Sequence, residues 1–124
     1  MAYENVVREK SLSFAKRVIK VYKYLCDDKK EYVISKQLLR SGTSIGANIA
    51  ETQYASSRKD FVAKLYISLR ETSETLYWLE LLYSSEYLTS SQYGSLQTDC
   101  EELRKLLSSI TKTSREKQFL TPNS

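Results

Sequence analysis

The sequence predicts an all-α protein: an antiparallel up-down-up-down four-helix bundle, one domain spanning residues 1–124. Three observations predict it. Only three glycines and one proline, Pro122, occur in 124 residues. Turns are therefore few and the regular elements long. Apolar residues recur every three or four positions in four separate stretches, which is the spacing of one helix face. No stretch alternates apolar and polar residues with the two-residue period of a half-buried strand. With 41% apolar and 27% charged residues, the chain is globular in composition and too apolar for disorder.

The first stretch reads as a helix over residues 8–26. Phe14, Val18, Val21, Tyr22 and Leu25 fall on one side, flanked by Ala15 and Ile19. Opposite them, Lys16, Arg17, Lys20 and Lys23 lie within an arc of about 120°. The segment CDDKKE breaks the pattern, so a short connection is expected around residues 26–30. Asp27 or Asp28 is expected to cap the next helix, because a carboxylate there accepts from the free N–H groups of the first turn.

The second helix is expected over residues 30–54. Ile34, Leu38, Ser41, Ile45, Ile49 and Thr52 form one seam, with Asn48 beside it. A buried amide or hydroxyl needs a partner, and Glu51, Arg40 or a neighbouring helix is expected to supply one. An opposite face carries Tyr32, Leu39, Thr43, Gly46 and Ala50. Two such faces are expected of a helix packed both within its own bundle and against another subunit. Gly42 and Gly46 each cost about 1 kcal/mol relative to Ala in a helix, and close approach of a neighbouring backbone would compensate. The alternative is a true break at SGTSIG. The seam keeps its phase through that segment, which favours one continuous helix.

The third helix is expected over residues 57–84. Ser57 followed by Asp60 is a near capping box. Its apolar face is read as Phe61, Leu65, Ser68, Leu69, Thr72, Leu76, Leu79 and Tyr83. The fourth helix is expected over residues 90–117, with a heptad-like seam of Tyr93, Leu96, Cys100, Leu103, Leu107 and Ile110. The end, QFLTPNS, is expected to fray. Helices of 19 to 28 residues would measure roughly 28 to 42 Å.

Charge is uneven. The formal net charge is +4 overall, yet residues 1–25 alone carry +4 and residues 71–99 carry −5. Two readings of the stripe Lys16, Arg17, Lys20 and Lys23 compete. One is a solvated surface paired with the acidic half of the third helix, where exposed pairs are weak. The other is a surface that contacts phosphates.

Chemistry is constrained by what is missing. The chain has no histidine, which removes the usual general base and the commonest metal ligand. The SxxK spacings Ser13–Lys16 and Ser109–Lys112 fall in ordinary Ser- and Lys-rich helices. Glu71 with Glu74, Glu101 with Glu102, and Glu51 lack the Glu-x-x-His motifs of di-metal bundles. No enzyme activity, metal or cofactor is expected, and no small-molecule substrate. Cys26 and Cys100 match no metal spacing and are expected to be buried thiols, with a disulfide as the alternative. No export signal or membrane-spanning run is apparent, so the cytoplasm is the expected location. Ten tyrosines are unusual. Tyr77, Trp78, Tyr83 and Tyr87 are expected to serve a core or subunit interface, with stacking on bases as the alternative.

The stretch LLRSGTSIGANIAETQYASSRKDFVAKLYISLRETSETLYWLELL resembles the signature of a bacterial family. It carries Arg40-Ser41, Ser44-Ile45, Asn48-Ile49-Ala50-Glu51 and Asp60-Phe61, then Glu74, Thr75, Tyr77, Trp78 and Leu79. Further on, Glu102, Leu103, Leu107, Ser109 and Ile110 continue the likeness, which covers about residues 10–117. The family is that of the four helix bundle or 23S rRNA-intervening sequence proteins, formerly labelled ribosomal. One departure is Thr52, where family members usually have glycine, so the turn to the third helix is expected slightly later. The resemblance implies an up-down bundle that assembles as a cyclic homopentamer without enzymatic activity. It implies a link to RNA, since some members are encoded inside intervening sequences of large-subunit ribosomal RNA genes. A related branch, the accessory variability proteins of diversity-generating retroelements, binds reverse transcriptase and nucleic acid. That implies the alternative of a protein–protein adaptor.

Overall fold

A computed structural model describes residues 2–120, with side chains over residues 5–117. Four α-helices follow one another: α1 (Ala2–Asp27), α2 (Ile34–Glu51), α3 (Arg58–Ser84) and α4 (Ser90–Leu120). A single 3-10 turn, Thr52–Tyr54, follows α2. Among the described residues there is no strand. Helix α1 packs on α2 and α4, and α3 packs on the same two, so α1 faces α3 only across the core. Phe14, Leu38, Ile45, Leu79, Leu103 and Leu107 sit at its centre, each at most 1% exposed.

Helix α1 is longer than its expected range of 8–26, because Val7, at 1% exposure, extends the seam by another turn and nothing there breaks a helix. Helix α2 is shorter than 30–54. Lys30 adopts a left-handed backbone (φ 56°), and the Glu31 N–H returns to the Leu25 carbonyl at 2.9 Å, so the chain turns before α2 can begin. Its far end tightens into the 3-10 turn, where the Thr52 hydroxyl donates to the Ile49 carbonyl at 2.6 Å. SGTSIG is not a break; it lies wholly inside α2. Helix α4 continues through Leu120. Pro122 and the rest of the last four residues lie outside the described residues.

The cap of α2 differs from expectation. Neither Asp27 nor Asp28 supplies it. Glu31 does, its carboxylate accepting from the N–H groups of Val33 (3.2 Å), Ile34 (3.1 Å) and Ser35 (2.7 Å). The Ser35 hydroxyl donates back to the Glu31 carbonyl at 2.8 Å, a reciprocal arrangement like a capping box. Glu31 is 8% exposed, and burial raises its pKa; the backbone hydrogen bonds from Ser35, Ile34 and Val33 to the carboxylate, with the Ser35 hydroxyl close by, outweigh that and hold it below the usual carboxylate range. At α3 the Ser57 hydroxyl accepts from the Asp60 N–H at 3.0 Å, and the Asp60 carboxylate accepts from the Ser56 N–H at 3.0 Å.

The buried line of α3 is rotated from the expected one. It runs Val62, Leu65, Ser68, Thr72, Thr75, Leu79 and Leu82, while Phe61, Leu69 and Leu76 are half-buried flanks and Tyr83 is 39% exposed. Hydroxyls can replace large apolar groups here because α2 satisfies them. Thr75 Oγ1 lies 2.9 Å from Ser41 Oγ, and Ser68 Oγ donates to the Ile45 carbonyl at 2.8 Å.

Candidate nucleic-acid interface

The helical repeat of α1 sets Lys16, Lys20 and Lys23 on its outer face, all exposed. None of the three makes an ion pair among the described residues. Arg17 departs from the expected stripe. Its guanidinium turns to α4, donating to Asp99 Oδ2 at 2.5 Å and to Ser95 Oγ at 2.8 Å. Lys10 likewise meets Glu102 at 3.1 Å. The cations of α1 therefore pair with α4, not with the acidic half of α3 as expected, because α3 lies diagonally across the core. Three lysines of the four expected cations remain available to a phosphate.

The other singled-out residues gather on α2 and α3. Arg40 donates to Glu71 Oε2 at 3.1 Å and to the Glu74 carboxylate, and Trp78 Nε1 donates to Glu74 Oε1 at 3.3 Å. The two acids respond differently. Burial, with Glu74 nearby, raises the Glu71 pKa, whereas the Arg40 guanidinium holds Glu74 low. Ser44 Oγ donates to the Arg40 carbonyl at 2.7 Å. Asn48 is half-buried, and its amide donates to the Ser44 carbonyl of its own helix at 2.8 Å. The expected partners Glu51, Arg40 and a neighbouring helix do not serve it. Ser41 is fully buried and takes its partner from α3. Ile45 and Ile49 are core, Ala50 is half-buried beside them, and Phe61 packs on the core edge. Glu51 meets Lys64 at 3.6 Å, and Asp60 meets it at 3.9 Å. These contacts bind α2 to α3 and cap α3; they form no open site.

The glycines explain how α2 meets α1. A Cβ on Gly42 would stand 2.8 and 2.9 Å from the two Val18 methyls, and one on Gly46 would stand 3.2 Å from Ser11 Oγ. Beside this approach runs a groove of about 270 Å³ lined by Leu12, Ala15, Thr43, Gly46, Ala47 and Ala50. Leu12 is 58% exposed on its rim, and Ile19, two turns further along α1, is 41% exposed.

The aromatics divide. Tyr83 stacks on Tyr93 with centroids 4.5 Å apart, and Tyr87 packs on the core. Tyr77 is 57% exposed, edge-on to the half-buried Trp78. Both cysteines are free thiols. Cys26 is only half-buried, near Tyr22 and Ser35, while burial pushes the Cys100 thiol up to about 12. Among the described residues no group of three or more acids and cysteines is placed to hold a metal ion, and no helix is long and apolar enough to cross a membrane.

One contact escaped the sequence reading. Arg115 of α4 donates to the Tyr66 hydroxyl of α3, and its guanidinium carbon lies 5.6 Å from the ring centroid. It joins the basic start of α3 to the basic end of α4. The signal was present in the cation counts of those two segments, which are far apart in sequence.

Comparison with known proteins agrees with this geometry. The sequence matches the family described as 23S rRNA-intervening sequence protein over residues 3–109. It is also similar to a protein of unknown function from the S23 ribosomal protein family of Bacteroides thetaiotaomicron VPI-5482, whose crystal structure is known at 1.70 Å. The two share 56% identity over 89% of this chain and 98% of that one, with a TM-score of 0.87. No curated protein matches the sequence.

Proposed function

The chain belongs to the 23S rRNA-intervening sequence protein family, and from that premise we propose a non-enzymatic, oligomeric bundle that presents basic surface to RNA or an RNA-containing complex in the cytoplasm. The observation that carries the reading is the line of Lys16, Lys20 and Lys23, exposed and unpaired among the described residues. Ammonium groups with no carboxylate beside them are free to displace counterions from phosphates, and that release makes binding salt-dependent. A filter-binding titration with structured ribosomal RNA at about 50 and about 200 mM salt tests it. Affinity that falls steeply with salt supports the reading; no salt-dependent binding at micromolar protein refutes it.

The antiparallel up-down-up-down order is supported by pairs that run in opposite directions along neighbouring helices. Val18 meets Gly42 while Ser11 meets Gly46, and Thr75 meets Ser41 while Ser68 meets Ile45. The small-residue groove between α1 and α2, with Leu12 on its rim and Ile19 further along α1, supports self-association. A cyclic homopentamer is the assembly the family likeness favours. Light scattering that returns a monomer at high micromolar concentration contradicts it.

A second reading, a protein–protein adaptor such as a reverse-transcriptase accessory protein, is favoured by the exposed Tyr77 against Trp78, since outward aromatics commonly anchor protein partners. Genomic neighbourhood separates the two: an adjacent reverse transcriptase supports the adaptor, and an rRNA operon supports the RNA reading.

A further inference from the structure

We propose a second RNA-gripping surface, stronger than the α1 stripe: the α3–α4 flank over the half of the bundle where α3 begins and α4 ends. There Lys59, Arg70, Lys112 and Arg115, braced by Tyr66, hold the phosphodiester backbone. The proposal rests on the RNA reading above and names the surface that serves it.

Charge density points there first. Residues 58–70 hold four cations against one acid, and residues 104–117 hold five against one. Some of these are spent locally: Lys64 on Glu51 and Asp60, and Arg104 on Glu101. Lys59, Arg70, Lys112 and Arg115 are exposed and form no ion pair with any described residue. Helical spacing aligns them. Lys59, Tyr66 and Arg70 are seven and four residues apart along one edge of α3, and Lys112 and Arg115 are three apart along α4. The Arg115–Tyr66 contact fastens the two edges together.

The nature of that fastening separates this flank from the α1 side. Arg17 is held by a carboxylate, so its charge is cancelled where it stands. Arg115 is held by a phenol and a ring face, which fix its direction and leave its charge whole. A guanidinium has five donors in a rigid fork; one goes to the Tyr66 oxygen, and the others remain for phosphate oxygens. An arginine oriented in advance but not neutralised loses less side-chain freedom on binding. On α1, by contrast, Arg17 and Lys10 are already paired, and Glu9 and Asp27 share the helix with the three free lysines.

The test compares the full-length protein with two variants in filter binding to a structured ribosomal RNA fragment across a salt series. One replaces Lys59, Arg70, Lys112 and Arg115 with Gln; the other replaces Lys16, Lys20 and Lys23 with Gln. Each phosphate contact contributes about 0.7 to 0.9 to the slope of log K against log salt, so removing four lowers the slope by about 3. That corresponds to removing about a 60-fold loss of affinity between about 50 and about 200 mM salt. The α1 variant is expected to lose less. A double variant, Arg70→Gln with Lys112→Gln, leaves the Tyr66–Arg115 contact intact and is expected to lower the slope by about half as much, which separates lost contacts from a disturbed fold. Wild-type slope in the fourfold and double variants overturns the proposal while leaving the RNA reading standing, as does a larger loss in the α1 variant. No salt-dependent binding by the wild type overturns both.

Discussion

Helices α2 and α4 lie diagonally across the bundle, each packed on both α1 and α3, yet they are held in different ways. Helix α2 meets its neighbours through small and hydroxyl-bearing residues: Gly42 and Gly46 against α1, Ser41 paired with Thr75 and Ile45 with Ser68 against α3. Helix α4 meets them through bulk, with Leu96, Leu103 and Leu107 each at most 1% exposed. Among the described residues its one buried polar contact across helices is the weak donation from the Cys100 thiol to the Thr72 carbonyl at 3.5 Å. The position of α2 therefore depends on the absence of atoms and on particular pairs, whereas that of α4 depends on volume. A helix held by volume tolerates any apolar side chain of the right size. A helix held by close approach does not tolerate one extra methyl.

The largest effect is expected where volume is removed from α4. Leu107 is fully buried, and Leu107→Ala is expected to cost about 2 to 5 kcal/mol, read as a shift in the urea midpoint. Leu107→Met keeps the volume and is expected to cost under about 1.5 kcal/mol. Equal losses for the two would mean that shape, rather than volume, also governs α4, and the contrast with α2 would disappear.

On α2 the expected sensitivity is reversed, so isosteric and enlarging changes are the informative ones. Thr75→Val preserves shape but leaves Ser41 with only its 3.4 Å contact to the Leu38 carbonyl. A cost of about 1 to 3 kcal/mol is expected for a buried hydroxyl left with that single long contact. Gly42→Ala gains about 1 kcal/mol in helix propensity. It also drives a methyl into Val18, whose branched side chain is fully buried and stiff. Overpacking of this kind costs about 1 to 3 kcal/mol, so a net loss of up to about 2 kcal/mol is expected in the same urea titration. A gain in stability from Gly42→Ala would show that α1 can step back, and that close approach does not hold α2.

The same contrast explains what the sequence made legible. Four helices and the seams of α1, α2 and α4 follow from apolar spacing alone, because large side chains at regular intervals are the signal that spacing detects. The seam of α3 is read correctly at Leu65, Ser68, Thr72 and Leu79 but rotated elsewhere, missing Val62, Thr75 and Leu82; Thr75 looks like a surface residue until α2 is known to hold its hydroxyl. Glu31 was missed as a cap for a related reason: within CDDKKE every acid looks alike, and only the left-handed turn at Lys30 decides which reaches the free N–H groups. Of the expected basic stripe, Arg17 was lost to Asp99 because the order of helices around the bundle decides which charges meet. The α3–α4 cations were hidden for the same reason, being contiguous in space but not in sequence.

The smallest effect, and the only one expected to raise stability, comes from the place where α4 breaks its own rule. Thr111 is 2% exposed, and its hydroxyl is the one buried side-chain polar atom among the described residues without a hydrogen-bond partner. Every buried hydroxyl of α2 and α3 is paired; this one is not. An unmet buried hydroxyl costs about 1 to 3 kcal/mol, and Val has nearly the same shape as Thr without that hydroxyl. Thr111→Val is therefore expected to stabilise the fold by about 1 kcal/mol, opposite in sign to Thr75→Val, the same chemical change on the helix facing α4. The pair of variants, measured side by side by urea unfolding, separates a hydroxyl that specifies packing from one that merely occupies space. A loss of stability in Thr111→Val equal to that in Thr75→Val would mean that α4 also depends on hydroxyl pairing, and the distinction between the two helices would fall.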